Sequence, residues 1–379
     1  MDLTNARLQI DTLDDTIEQA FIRRMELSEE IARAKKELGL PITNKNRERQ
    51  ILSQVMAKAP SLSLYTHRLF NTLFELSKAY QASQDTQDSP LKASIRDSLL
   101  GSETLLPSEG TVACQGVEGA YSQMAADKLF PRGSLTFFKS FDAVFDAVEN
   151  DFCTYGVVPI ENSSNGSVKA VYQLLKSRNV SIIRSLRLCI SHQLLAKPGA
   201  RLEDITEIRS HEQALGQCSQ FLKSLGDKVR VIPAPNTAMA AEYVSKSPDR
   251  GAACISSMSC AELYGLVPIE AKIQNSDNNY TRFVCITKKP LVYPGANRIS
   301  LIVSLAHRPG ALYDVLAQFA ANEVNLLKLE SYPVVGHDFE FSFFLESEAS
   351  VRDPKIVGML GELQRMSTSF RYLGNYIEG

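Results

Sequence analysis

The chain has little to hold a metal and little to build a disulfide framework. Its 379 residues include no tryptophan, five histidines and seven cysteines, the last at positions 114, 153, 189, 218, 254, 260 and 285 with no Cys-x-x-Cys pair. That spacing argues against a structural zinc site or a cystine scaffold and suits the reducing cytoplasm. No metal and no other cofactor is expected. Charge of one sign is missing too: 41 Lys and Arg against 43 Asp and Glu leave a net −2, and the pI is near 6.3. Neither nucleic acid nor an anionic membrane is therefore an expected partner. No apolar run approaches the roughly eighteen residues that a membrane span requires. The opening "MDLTNARLQIDTLDD" sets acids and a helical period where a signal peptide would have a basic stretch and then an apolar one.

What is present is enough apolar material, 44% of residues against 22% charged, for the cores of two or three domains. The first stretch is helical. Leu3, Ala6, Ile10, Leu13, Ile17, Ala20, Arg24, Leu27, Ile31, Ala34 and Leu38 form a heptad seam that is apolar at every position but one. Gly39 and Pro41 predict its end. Arg24 has two readings. Its stem can pack while its head snorkels into water. Alternatively it faces an anion, because Lys35, eleven residues on, returns to within roughly 20° of it on an ideal helix. Two cations at one apolar interface are costly unless a ligand neutralises them. The following helices bring suitable company. A second, capped by Thr43 or Asn44 and closed by Pro60, opens with Arg47 and Glu48. A third, over 63–81, carries Ser77 in line with Gln81. Residues 85–110 lose periodicity, gain Ser, Asp and Gly, and read as a linker with some helix.

From 111 to 289 short β runs alternate with helical ones, which predicts an α/β domain of mainly parallel sheet with ligands at the carboxyl ends of strands. Four stretches stand out. "GVEGAYSQMAA" (116–126) is a weak phosphate loop or a tight turn before a helix. "VVPIENSSNGSV" (157–168), with Glu161, Asn162 and Ser163, has more polar side chains than one helix start uses. "RSHEQALGQC" (209–218) sets Ser210, His211 and Gln213 at another helix start, where a lone histidine is often structural. "NNYTRFVCI" (278–286) delivers Thr281 and Arg282 at the start of a closing strand. Over 297–379 the order βαββαβ is ferredoxin-like, α+β.

These residues carry a resemblance in three parts. Residues 1–84 resemble the all-α, three-helix chorismate mutase, in which two protomers pair along their long helices. The resemblance implies a site at Arg7 (from the partner subunit), Arg24, Lys35, Asn44, Arg47, Glu48, Ser77 and Gln81. The arginines would hold carboxylates, and Lys35 with Gln81 would meet the breaking ether oxygen. Asn44 stands where that family usually has aspartate, beside Glu48 at the substrate hydroxyl. Residues 111–289 are similar to prephenate dehydratase, a two-lobed α/β domain like periplasmic binding proteins. "VPIENSSNG" and "YTRF" carry this match. It implies Glu161, Asn162, Ser163, Ser210, His211, Gln213, Thr237, Thr281, Arg282 and Phe283 in the cleft. Thr281 would donate to the departing hydroxyl, fed by Glu161 or His211, and Arg282 would bind an anion or serve as an ion-pair partner. "HRPGALYDVL" (307–316) and "LESYP" (329–333) resemble the amino-acid-sensing ACT domain, implying an L-phenylalanine pocket from Gly310, Ala311, Leu312, Glu330 and Ser331. Tyr332 replaces the family's arginine there, which leaves the strength of inhibition open. The expectation is a cytoplasmic bifunctional enzyme of phenylalanine biosynthesis, a homodimer or higher homo-oligomer acting on chorismate and prephenate. An arogenate-preferring dehydratase is one alternative. A solute-binding or regulatory protein with a dimerising helical domain is another.

Overall fold

The computed structural model describes residues 2–40, 44–83, 89–164, 166–333 and 341–379. The helix-ending Pro41, the alternative cap Thr43, Asn165 of the "ENSSNG" stretch, residues 85–88 of the expected linker and the start of the strand expected over 338–347 lie outside them. The chain forms two compact units, Met1–Asp97 with Leu301–Arg371, and Ser98–Ser300 with Tyr372–Gly379.

The first unit begins with α1 (Leu3–Glu37), α2 (Lys45–Lys58), α3 (Ser63–Ser83) and α4 (Pro90–Ser98). Gly39, at φ +65°, turns the chain out of α1 while the Leu40 N–H bonds the Lys35 carbonyl at 2.8 Å, the left-handed helix stop that glycine tolerates. Asn44 caps α2, its Oδ1 accepting from the Arg47 N–H at 3.1 Å. Helix α3 packs on α1 and α2 and buries Phe74, Ser77 and Gln81. Helix α4 falls within the expected linker and buries Ile95.

The second unit has two lobes. The first is built from β1 (Glu109–Gln115), α5 (Tyr121–Leu129), β2 (Arg132–Phe138), α6 (Phe141–Glu149), β3 (Tyr155–Asn162), β4 (Gly166–Ser167), α7 (Lys169–Ser177) and β5 (Ser181–Cys189). The second has β6 (Gln193–Ala196), β7 (Glu207–Ser210), α8 (Glu212–Gln217), α9 (Ser219–Ser224), β8 (Arg230–Pro233), α10 (Thr237–Lys246), β9 (Ala252–Ser256), α11 (Met258–Tyr264) and β10 (Val267–Glu270). The chain then returns to the first lobe through β11 (Tyr280–Thr287). Strand order is β2-β1-β3-β11-β5 in one lobe, with β4 beside β3, and β10-β6-β9-β7-β8 in the other. Both sheets are mixed rather than mainly parallel. The returning β11 runs antiparallel to β3 and β5, and β6 runs antiparallel to β9 and β10.

Each lobe has its own core. Val112, Cys114, Val157 and Cys285 pack under α5, and Leu194, Ile208, Ala253 and Ile255 lie under α8 and α9. The lobes touch at Gly119, whose carbonyl accepts from Ser257 Oγ at 3.3 Å and Cys260 Sγ at 3.2 Å. At φ +86°, and with a Cβ there falling 2.8 Å from Cys260 Sγ, this position demands glycine. The "GVEGA" stretch thus includes a close-packing turn.

The chain ends with β12 (Arg298–Ser304), α12 (Ala311–Ala321), β13 (Asn325–Pro333), β14 (Phe341–Glu348), α13 (Pro354–Met366) and β15 (Ser369–Glu378). The βαββαβ module has strand order β13-β14-β12-β15. Its helices α12 and α13 also pack against α3 within the first unit. The tail of β15 belongs to the second unit, where Ile377 and Glu378 pair in parallel with Arg184 and Ser185 of β5.

Candidate active sites

A cleft of about 570 Å³ lies between the two lobes of the second unit. Its rim is made where strands hand over to helices: Ala120 and Tyr121 begin α5, Val168 and Lys169 begin α7, and Asn236 and Thr237 begin α10. A helix start presents unbonded N–H groups and the positive end of its dipole, so three of them around one cleft favour an anion. Lys169 adds a cation, and no carboxylate is found among the described lining residues. Phe141, Pro159, Ile190 and Phe283 provide the apolar wall.

The register of β3 and β11 decides which predicted residues enter. Thr281 pairs opposite Asn162, and the Thr281 Oγ1 accepts a hydrogen bond from Asn162 Nδ2 at 2.9 Å; both line the cleft. The next pair, Arg282 opposite Glu161, points to the other face because strand side chains alternate. There Arg282 Nη2 meets Glu161 Oε2 at 3.2 Å and its Nη1 meets Glu378 Oε1 at 3.9 Å. Arg282 therefore takes the ion-pair role, and Glu161 does not line the cleft. Ser163 is a strand clamp: its Oγ donates to the Asn278 carbonyl and accepts from the Tyr280 N–H, each at 2.9 Å. Ser210 is buried, donating to the Ile255 carbonyl at 2.6 Å. His211 lines the cleft while its Nδ1 caps α8 through the Gln213 N–H at 3.3 Å; Gln213, Thr237 and Phe283 line it too.

Sequence reasoning missed a further group. Gln217, Asn279 and His192 form a bonded row beside Asn162, and Gln217 and His192 also line the cleft. Gln217 and Asn279 lie inside stretches already singled out, but an amide in a polar stretch has no distinguishing spacing. His192 follows a strand alone. Burial pushes its pKa below the ordinary value, against a raising hydrogen bond to Gln217. Burial also pushes the Cys114 and Cys218 thiols up to about 12, so neither supplies a thiolate.

In the first unit, Arg24 turns from α1 toward α3. Its Nη1 donates to the Leu73 carbonyl at 2.9 Å and to Ser77 Oγ, and its guanidinium lies 5.7 Å from the centre of the Phe74 ring. Burial lowers its pKa. Gln81, one turn beyond Ser77, is buried, and its Oε1 has no donor among the described residues. Lys35 is half-buried on α1. Glu48 is held by Lys78 Nζ at 3.4 Å, while Arg47 is exposed and bonds Gln50. Arg7 is exposed, and Asn44 spends its oxygen on capping.

Residues 112–291 match the model of the prephenate dehydratase family, and residues 6–82 match that of chorismate mutase type II. Arogenate dehydratase/prephenate dehydratase 2 of Arabidopsis thaliana, a chloroplastic protein, is 35% identical over 312 residues, spanning 79% of this chain and 81% of that one. The chain belongs to the prephenate dehydratase family. It is an enzyme, with an isomerase-type chorismate mutase domain ahead of the lyase domain. Among solved structures, the prephenate dehydratase of Arthrobacter aurescens in complex with L-Phe has 27% identity and a TM-score of 0.65, covering 70% of this chain and 89% of that one. GqqA, described as a quorum quenching acylase, has 28% identity and a TM-score of 0.65, covering 71% and 98%. In this member of the dehydratase family, Gly310 adopts φ +82° just before α12, with Ala311 and Leu312 in its first turn. Glu330 and Ser331 lie on the edge strand β13, where Glu330 meets Lys328 Nζ at 3.3 Å and Tyr332 follows.

Proposed function

We propose that this enzyme rearranges chorismate to prephenate in its helical domain and converts prephenate to phenylpyruvate in the interlobe cleft, within phenylalanine biosynthesis. In the first reaction no group is transferred, so the site has only to fold the substrate and stabilise charge on the breaking ether oxygen. Arg24 holds a carboxylate, while Gln81 and Lys35 face the oxygen. In the second, the bond from the ring to its carboxylate breaks as CO₂. Its electron pair becomes ring π density, and the C4–O bond breaks, with the hydroxide leaving as water once it gains a proton. Thr281 is the hydrogen-bond donor at that oxygen. The observation that carries the reading is the Thr281 hydroxyl, held by Asn162, in a cleft ringed by helix starts.

Two copies pair along α1, with Arg7 crossing into the partner's site; the exposed Leu3, Ile10, Leu13, Ile17 and Leu38 support this. The C-terminal module acts as an ACT domain that binds L-phenylalanine and inhibits the enzyme, a reading supported by its βαββαβ order and by the L-Phe complex of the Arthrobacter relative. Seven free thiols suit a cytoplasmic setting. The names of the plant relatives favour a second reading, in which the cleft prefers arogenate and yields phenylalanine directly.

The test is to supply chorismate, prephenate and arogenate separately and to identify the products, with and without phenylalanine. Prephenate and then phenylpyruvate from chorismate is the expected result; turnover of arogenate alone would favour the second reading. Thr281→Ala should cut dehydration by roughly 10²- to 10⁴-fold, the usual range for a positioned proton donor, and leave mutase turnover intact. Equal loss of both activities would remove Thr281 from its role.

A further inference from the structure

The row of side chains beside Thr281 fixes which of its groups donate and which accept. Its anchor is a backbone N–H, which can only donate: that of Ser164 bonds Asn162 Oδ1 at 2.9 Å. Asn162 must therefore present its NH₂ to the other side. Asn162 Nδ2 donates to Thr281 Oγ1 at 2.9 Å, and its second proton is shared between Asn279 Oδ1 at 3.2 Å and the Tyr280 carbonyl at 3.3 Å. With its oxygen so engaged, Asn279 donates through Nδ2 to Gln217 Oε1 at 3.0 Å. That same oxygen lies 2.8 Å from His192 Nε2. Two atoms facing one amide oxygen must both be donors, so the imidazole proton is on Nε2. At the far side of the ring, Tyr121 Oη gives its proton to the Ser191 carbonyl at 2.9 Å and lies 3.4 Å from His192 Nδ1.

The row spans the hinge. Asn162 and Thr281 belong to the first lobe and Gln217 to the second, while His192 and Asn279 lie on the two connections between them. These connections are bonded to each other through the Ile190 N–H and the Asn279 carbonyl at 2.8 Å. His192 and Asn279 are each only 2% exposed. Buried polar rows of this kind admit one arrangement when fully satisfied.

We infer that His192 and Asn279 are positioning residues of the dehydratase: Asn279 directly, and His192 through Gln217 and Asn279, hold the Asn162 amide as donor to Thr281. Because Thr281 Oγ1 accepts that bond, its own proton is left for the cleft. The bond to the departing hydroxyl is then made by a group whose direction is set before substrate arrives. A neutral His192 in its Nε2–H form is the far end of the device. Burial disfavours the cation there, so the ring keeps a single proton.

The inference rests on the dehydratase reading, and the experiment separates the two. Long-range ¹H–¹⁵N spectra of the full-length protein labelled on its five histidines, assigned with His192→Gln, should show His192 neutral and protonated on Nε2. Asn279→Asp, which can only accept, should turn the Gln217 amide and move the proton to Nδ1. His192→Leu should lower kcat for the dehydratase roughly 10- to 100-fold, the range for misplaced catalytic geometry, with far less change in KM. His192→Gln, whose Nε2 can still donate, should restore much of that loss. Protonation on Nδ1 in the natural protein, or full kcat in His192→Leu, would overturn the inference. If the natural protein turned over neither prephenate nor arogenate, the dehydratase reading would fail instead, and the tautomer would still be measured.

Discussion

Among the described residues, the buried Gln81 Oε1 has no hydrogen-bond donor. A buried amide oxygen without a donor costs stability, and this one lies one turn from the Arg24–Ser77 contact. Gln81→Leu should therefore stabilise the helices by about 1 kcal/mol in urea unfolding while abolishing mutase turnover. Unchanged turnover would dissociate Gln81 from the ether oxygen. His192 makes the opposite trade in the second unit. Its folded pKa is depressed below the ordinary 6.5, so below that value the unfolded chain binds more protons than the folded one. Stability from His192 is complete above about pH 6.5 and is lost as pH falls toward the depressed folded value. Thermal unfolding followed from pH 7 to 5 should show this slope in the natural protein and a flatter one in His192→Gln. At this scale Arg24 was legible because a lone cation in an apolar seam violates patterning. Gln217 and Asn279 were not, since their role depends on partners 25 to 117 residues away in sequence.

Strand register does at the element scale what no single residue does. A pairing of Thr281 with Asn162, and Arg282 with Glu161, divides four adjacent polar residues into a cleft pair and an ion pair on the other face. The sequence placed all four at one site because their common stretch was visible and their alternation across two strands was not. Strands β6, β7 and β10, four residues each, and helix α11 are too short to carry a resolvable period in sequence. The turn at Gly119 belongs to the same scale. Gly119→Ala forces a side chain at φ +86° against Cys260 Sγ, and should cost about 1–3 kcal/mol by strain and overpacking. It should also raise the dehydratase KM by parting the lobes. Adding Cys260→Ala should recover the overpacking share alone; full recovery, or no initial loss, would mean the lobes do not need this contact.

Over the whole molecule, the helices α1–α4 and most of the C-terminal module make up one unit, and the dehydratase lobes the other. Helix α3 is the shared element of the first: it carries Ser77 and Gln81 of the proposed mutase site, and α12 and α13 pack on the same helix. Burial raises the pKa of Glu362 on α13, with Arg365 opposing and Glu75 and Lys78 of α3 close enough to contribute. A chain ending at Lys289 uncovers α3, so mutase activity and the melting temperature of the helices should fall together. Full mutase turnover at an unchanged melting temperature would show that α1–α4 stand alone.

Local pattern determined the long helices, their caps, the alternation of strand and helix, and the βαββαβ order, because each depends on neighbours within a few residues. The polar stretches near the sites were equally legible, since polar side chains in excess of what caps and turns use are visible in one dimension. Tertiary structure alone decided that the sheets are mixed, that Glu161 and Arg282 turn from the cleft, and that α3 packs on the C-terminal module. It also set the partners from which the proton on His192 is inferred. The reason is common to all four: each is set by which distant backbone lies alongside, and hydrogen-bond direction and strand face are properties of a pair.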